Sequence, residues 1–227
     1  MVNFKSAKLS VSEENYLKAV YQLSRGATES VSTNEIAASV NTRAASVTDM
    51  MKKLASKELV SYEKYRGVRL SKTGIQHATK LIRRHRLWEV FLVEKLNFSW
   101  DQVHDVAEQL EHIESDLLIE RLDEHLDFPR FDPHGDPIPN NEGRFTFRHQ
   151  VPLSSMNIGQ RGIIVGVAKH PADFLSYLDQ EGLTLGKNVQ VVSKLEFDNS
   201  TRVRIENETT PKLLSGQVCQ NLLIKPS

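Results

Sequence analysis

Residues 33–70 read TNEIAASVNTRAASVTDMMKKLASKELVSYEKYRGVRL. Thr33 to Val40 has the length of one short helix and stops at Asn41-Thr42. A second helix fits Ala44 to Lys57, where Val47, Met50, Met51 and Leu54 fall on one stripe at helical spacing. Leu59 to Leu70 follows as two short β-prone runs around a turn containing Gly67. Upstream, Ser12 to Ser24 reads as a helix, with Ser10 and Glu13 spaced as a capping box. Helix, helix, turn, helix and hairpin is the order of a winged helix.

Downstream, long helices fit Thr73 to Leu96 and Trp100 to Leu126, the latter with Val106, Leu110, Ile113 and Leu117 on one apolar stripe. Phe128 to Pro152 is rich in Pro, Gly, Asn and Asp and reads as a linker. Short strands fit Gly162–Ala168, Asn188–Phe197, Arg202–Glu206 and Leu222–Lys225, with a helix at Pro171–Gln180. The expected fold is therefore mainly α with a β C-terminal part. Its domains are a winged helix over 1–73, a helical domain over 74–140, a linker over 141–152 and a small β-barrel over 153–227.

With 227 residues the chain is long enough for two or three compact domains. Its net charge is zero, but the charge is blocked. Residues 1–85 carry 15 Lys+Arg against 7 Asp+Glu, residues 86–146 carry 5 against 15, and residues 147–227 carry 9 against 7. A basic end suits phosphates and an acidic middle suits cations. Cys219 is the single cysteine, so no internal disulfide forms and the thiol is expected to be buried and inert. No apolar run approaches the roughly 20 residues of a membrane span. We expect a cytoplasmic protein with neither a membrane nor a small-molecule substrate as partner.

In a helix-turn-helix the exposed start of the second helix reads base edges, which demands short, polar or basic side chains. Thr42, Arg43, Ala45, Ser46, Thr48 and Asp49 meet that demand, with Arg43 suited to a guanine edge and Ala45 to a thymine methyl. Lys52, Lys53, Lys64, Arg66 and Arg69 are placed to neutralise phosphates. The alternative is a winged helix that serves as a protein-interaction module with merely solubilising charges, against which stands the placing of the positive excess in the segment that would meet DNA.

Residues 101–120 hold seven acidic residues and no Lys or Arg. On one continuous helix His104, Glu108, Glu111 and His112 project from one side, opposite the apolar stripe, and His85 and Glu89 share a face of the preceding helix. Imidazole and carboxylate suit Mn(II) or Fe(II) better than Cu(I) or structural zinc, while Zn(II) or Co(II) can enter such a site in vitro. The alternatives are surface His with acids that pair with the basic end, a metalloenzyme, or a metal-independent DNA-binding or scaffold protein.

Glu14-Asn15-Tyr16-Leu17-Lys18-Ala19-Val20-Tyr21, Tyr62 to Gly67, Arg84-His85-Arg86-Leu87-Trp88-Glu89, Val103 to His112 and Asp136-Pro137-Ile138-Pro139 together resemble the diphtheria-toxin-repressor family. They are more similar to its manganese transport regulators than to its iron-dependent repressors. The resemblance implies a non-enzymatic repressor of metal uptake, which binds a palindromic operator in double-stranded DNA as a metal-activated homodimer. Its third domain resembles Src-homology and ferrous-transport accessory domains. Glu108, Glu111 and His112 match the family's activating site, and His85, Glu89 and His104 its other site. Iron-type members have Cys where Glu108 stands, which favours manganese over iron. Asn15 replaces an Asp or Met ligand, and Lys18 stands where manganese regulators often carry Glu. His134 matches a ligand of the longer manganese regulators, Asp132 takes the place of a Cys there, and His170 or Asp173 falls where the third domain contributes.

Overall fold

The structure is a computed structural model that describes residues 8–63 and 66–227. The chain divides into two compact units. The first comprises 8–85, 111–114 and 139–144, and the second 86–110, 115–138 and 145–227.

In the first unit, α1 (Val11–Leu23) and α2 (Thr33–Ser39) both open with a capping box, Ser10/Glu13 and Ser32/Glu35. Each box satisfies two otherwise unpaired N–H groups, which contributes about 1 kcal/mol. Asn41 takes a left-handed conformation (φ 49°), and Thr42 N–H closes onto Ala37 O before α3 (Ala44–Ser56) begins. β1 (Val60–Glu63) and β2 (Gly67–Leu70) form the antiparallel hairpin, with Val60 opposite Leu70. Val31 bridges Val68 and adds a third short rung. Gly67 is needed there: at φ +87° a Cβ would sit 2.7 Å from Val31 O. Leu17, Val20, Ile36, Val47, Met51, Leu54 and Val68 fill the core. Met50 is only half-buried, so the stripe on α3 is narrower than its sequence suggests. Truncating Met51 to Ala is expected to cost about 2–5 kcal/mol.

α4 (Lys72–Leu96) runs from the first unit into the second. The single helix expected over Trp100–Leu126 is two: α5 (Val103–Leu110) and α6 (Asp116–His125). α5 ends at Leu110, and α6 starts anew at Ser115, whose Oγ accepts from Leu118 N–H as its N-cap. Crowded carboxylates with no Lys or Arg among them also disfavour an unbroken helix. The expected stripe is broken with it: Val106 and Leu110 are half-buried, whereas Ile113 and Leu117 are exposed. The break also removes the expected common face, because Glu111 and His112 lie in the turn after α5 and belong to the first unit.

The remainder of the second unit is a six-stranded antiparallel sheet in the order β3-β8-β4-β5-β6-β7. Its strands are β3 (Val151–Pro152), β4 (Arg161–Val167), β5 (Asn188–Lys194), β6 (Thr201–Ile205), β7 (Lys212–Leu214) and β8 (Leu222–Pro226). α7 (Ala172–Gln180) and the short α8 (Gly216–Asn221) accompany them. Alternating inward residues such as Val189, Val191, Val203 and Ile205 pack with Trp100, Leu175 and Leu178 in one core. Residues 128–138, expected as linker, are ordered and in part buried. Phe131 bridges Pro137, and Ile138 joins the core around Leu87, Val90 and Leu122. Among the described residues no helix is long and apolar enough to cross a membrane.

Candidate metal centres and nucleic-acid interface

Thr42 and Arg43 just before α3, and Ala45, Ser46, Asp49 and Lys52 on it, are exposed. Arg43 is the N-cap of α3 and is exposed, and its guanidinium, which has only donors, cannot cap the helix N–H groups as Ser10 and Ser32 do. Thr48 differs from the expectation: it is half-buried, and its hydroxyl donates to Ala44 O at 3.0 Å. Lys52 lies 3.4 Å from Asp49, and Arg66 lies 3.0 Å from Glu63 in the hairpin, both as exposed pairs that contribute little to stability. Arg69 is exposed, and Lys64 lies outside the described residues. Lys53 and Lys57 reach the buried Glu13 at 3.4 and 2.6 Å. Burial alone would raise the Glu13 pKa, but Lys57, the Ser10 amide and Lys53 outweigh it and lower it to about 2.

Among the described residues, donors gather in the first unit around Glu111 and in the second around Glu89. In the first unit, Glu111 Oε2 is 2.7 Å from Lys18 Nζ and 2.6 Å from His85 Nδ1, and all three side chains are buried. Glu14 Oε2 is 2.6 Å from His112 Nδ1, and Glu14 Oε1 is 3.4 Å from Arg84 Nη2. Arg84 also donates to Glu111 O at 2.9 Å. A carboxylate only accepts, so contacts this short place the proton of each imidazole on Nδ1. Asn15 is exposed on α1, while its neighbours Glu14 and Lys18 enter the cluster. Glu14 and Arg84 carry no separate signal in the sequence, and their roles appear only when α1, α4 and residues 111–114 come together.

In the second unit, Glu89 on α4 and Asp132 and His134 in the loop are buried, and their donor atoms lie within 4.8 Å of one another. Asp132 Oδ1 accepts from His134 N–H (2.8 Å) and Asp136 N–H (3.0 Å), which folds the loop about its own carboxylate. Arg86 holds the same loop through Asp132 (3.3 Å) and Asp136 (3.0 Å) and donates to Pro137 O. Burial, then the charges of Glu89 and Asp136, push the Asp132 carboxyl up to about 8 against the opposing effect of Arg86.

His134 Nε2 is 2.8 Å from Trp100 O. Because a carbonyl only accepts, Nε2 carries the proton and Nδ1 presents its lone pair, 3.7 Å from Glu89 Oε1. A backbone carbonyl holding one ring nitrogen is the usual orientation of a metal-binding imidazole. Nothing in the sequence marks Trp100 for this role, because the group involved is its backbone. Metal–ligand bonds of about 2–2.2 Å fit between donors at these separations, and a cation would relieve the apposed carboxylates. The donor set therefore fits a divalent ion.

His104 and Glu108 flank this group from α5, both more than half exposed. His104 Nδ1 is 3.5 Å from Glu89 Oε1, and its Nε2 is 3.5 Å from Glu108 Oε1. Those two carboxylates, Glu108 first, raise the His104 pKa to about 10 despite desolvation. The His170 ring stacks on His134 with centroids 4.8 Å apart, whereas Asp173 is exposed and accepts from Phe174 N–H at the start of α7.

Comparison with known proteins bears on both features. Residues 8–68 match the model of the iron-dependent repressor N-terminal DNA-binding domain, 71–140 that of its metal-binding and dimerisation domain, and 151–226 the FeoA domain. An HTH-type transcriptional regulator of Methanocaldococcus jannaschii is 36% identical over 114 residues, 50% of this chain and 91% of that protein. The diphtheria toxin repressor of Corynebacterium jeikeium is 31% identical over 126 residues, 56% of this chain and 52% of that protein. A solved manganese-dependent transcriptional repressor in complex with manganese superposes with a TM-score of 0.81 at 31% identity, covering 95% of this chain and all of that one. With a basic helix-turn-helix, a helical middle segment and an antiparallel β-sheet domain in that order, this chain belongs to the iron-dependent repressor family of metal-dependent, DNA-binding transcriptional regulators.

Proposed function

We propose that the chain is a Mn(II)-responsive repressor that binds a palindromic operator as a homodimer, with Glu89, Asp132 and His134 as the core of its sensing centre. The observation that carries this reading is the buried donor set, in which His134 is already oriented by Trp100 O. His104 and Glu108 complete the coordination or guard its entrance, and His170 closes it from the side through its stacked ring. The donors are oxygen and nitrogen with no thiolate, which favours Mn(II), or Fe(II), over softer ions. The manganese dependence of the solved relative supports the same choice.

Arg43, Thr42, Ala45, Ser46 and Asp49 read bases, while Lys52 and Arg66 hold phosphates. Residues 1–73 form the reading domain, 74–140 the metal-binding and dimerisation domain, 141–152 the connection and 153–227 the barrel. Metal at the loop centre orders the second unit, and a rigid dimer then presents two reading helices at the half-site spacing. By linkage, DNA must tighten metal binding by the same factor, about 1–3 kcal/mol.

The test is operator binding measured by fluorescence anisotropy, with duplexes selected from a random pool in the presence of Mn(II). Affinity should fall at least tenfold on chelation in the wild type and not respond to Mn(II) in Asp132→Asn. Equal affinity with chelator and with Mn(II) would refute the proposal.

A further inference from the structure

Lys18 is a long cationic side chain held in the interior of the first unit, with only 9% of its side chain exposed. An ammonium is removed from water at high cost unless a partner replaces the lost solvation. Its partner is Glu111, whose own side chain is 1% exposed and whose Oε2 lies 2.7 Å from Nζ. His85 Nδ1 stands 3.3 Å from the same nitrogen, and Arg84 sits on the far side of the cluster against Glu14. Two carboxylates are thus matched by two cations of the same chain. A metal ion ligated by Glu111 would share that oxygen with Lys18, and two cations around one oxygen repel strongly in a buried site. Moving Lys18 aside would leave its ammonium in the interior.

We propose that the Lys18 ammonium is the resident cation of this centre. It occupies the carboxylate that the family resemblance marks as a ligand and ties α1 to residues 111–114 without metal. The metal response is then left to Glu89, Asp132 and His134, and to this extent the inference rests on the function proposed above. Lys18 acts as a determinant of metal stoichiometry by excluding an ion, and it makes no contact with one.

The experiment uses the full chain and two measurements: Mn(II) bound at equilibrium dialysis, and the thermal midpoint in the presence of a chelator. The wild type should bind about one tight Mn(II) per chain, and Glu111→Gln should leave that number unchanged. Lys18→Gln should lower the metal-free midpoint by about 10 °C, because Glu111 is left buried and unpaired. The double variant Lys18→Gln/Glu111→Gln, in which a neutral amide pair replaces the ion pair, should recover most of that loss. Should Lys18→Gln not fold at all, the recovery is read from the double variant against the wild type.

Loss of bound Mn(II) in Glu111→Gln would overturn the proposal, and so would a double variant no more stable than the sum of the single effects. Asp132→Asn separates the two readings. If it leaves Mn(II) binding intact, the sensing centre is misassigned, while the Lys18–Glu111 cycle still decides whether the ammonium acts as the cation here.

Discussion

Gly135 is the position where a single methyl group tests whether the 132–136 loop builds the sensing centre. Its φ is +91°, and a Cβ there would lie 2.2 Å from Val165 O, 2.5 Å from the Gly166 Cα and 2.7 Å from Arg148 Nη2. An ordinary carbon–oxygen contact is about 3.2–3.5 Å, so Gly135→Ala must move the loop off β4 by about 1 Å. The backbone conformation adds about 1–2 kcal/mol and the overpacking about 1–3 kcal/mol, for an expected loss of stability of about 2–5 kcal/mol. Asp132 and His134 lie one to three residues away, and metal coordination tolerates about 0.2 Å. A displacement of about 1 Å should therefore weaken Mn(II) binding by about 100-fold, or 2.7 kcal/mol. Gly159→Ala is the control. Its φ of +86° imposes the same backbone cost, but nothing lies within 4 Å of the added carbon. Calorimetric Mn(II) titration and thermal unfolding of the two variants separate strain from steric displacement. If Gly135→Ala bound Mn(II) within threefold of the wild type and melted like Gly159→Ala, the loop would not be the scaffold of the centre.

Further outcomes follow from other parts of the chain. Glu13 has a folded pKa of about 2 against a reference of 4.5, so its stabilisation is present above pH 4.5 and is lost as pH falls towards 2. The shift corresponds to about 3 kcal/mol at most, and the partly exposed Lys53 and Lys57 reduce it to about 1–2 kcal/mol. Urea unfolding should show Glu13→Gln weaker than the wild type by that amount at pH 7 and converging with it near pH 2. Arg43→Ala should cost about 1–3 kcal/mol of operator binding and relax sequence preference at one position. Arg66→Ala should weaken all duplexes alike and reduce the slope of log K against log salt by about 1, both read by anisotropy titration. Cys219 is fully buried, and burial raises its thiol pKa. It should resist a disulfide exchange reagent in the native protein and react readily once unfolded in urea.

Where the sequence was legible, the cause was local. The boxes at Ser10/Glu13 and Ser32/Glu35 and the turn at Gly67 depend on neighbours within a few positions, so the reading head could be placed closely. Helical periodicity continues through Glu111 and His112 and suggests one helix over 100–126, whereas α5 ends at Leu110 and a separate helix starts at the Ser115 cap. Its Pro, Gly and Asp content made 128–138 look like a connector. The same residues form a tight loop because Asp132 Oδ1 collects two amides and Arg86 clasps two carboxylates. Candidate donors were visible as residue types, but their grouping was not. Glu14, Arg84 and Trp100 act through contacts 34 to 98 positions away in sequence, and no spacing rule reaches that far.

The two clusters also resolve the same electrostatic problem in opposite ways, which bears on where a switch can reside. Around Glu111 the negative charge is met by Lys18 and Arg84, which are covalently part of the chain and cannot leave. Around Glu89 the loop is held by Arg86, shared between Asp132 and Asp136, and by Arg148 on Gly135 O, while burial and the charges of Glu89 and Asp136 raise the Asp132 carboxyl to about 8. A proton exchanges with solvent, and a divalent ion that takes its place supplies charge and fixes distances together. A chain-borne ammonium gives a joint that is always closed, whereas an exchangeable proton gives one whose closure depends on the metal outside. On the function proposed above, the exchangeable charge belongs to Glu89, Asp132 and His134, whereas the Lys18–Glu111 pair ties α1 to residues 111–114 with or without metal.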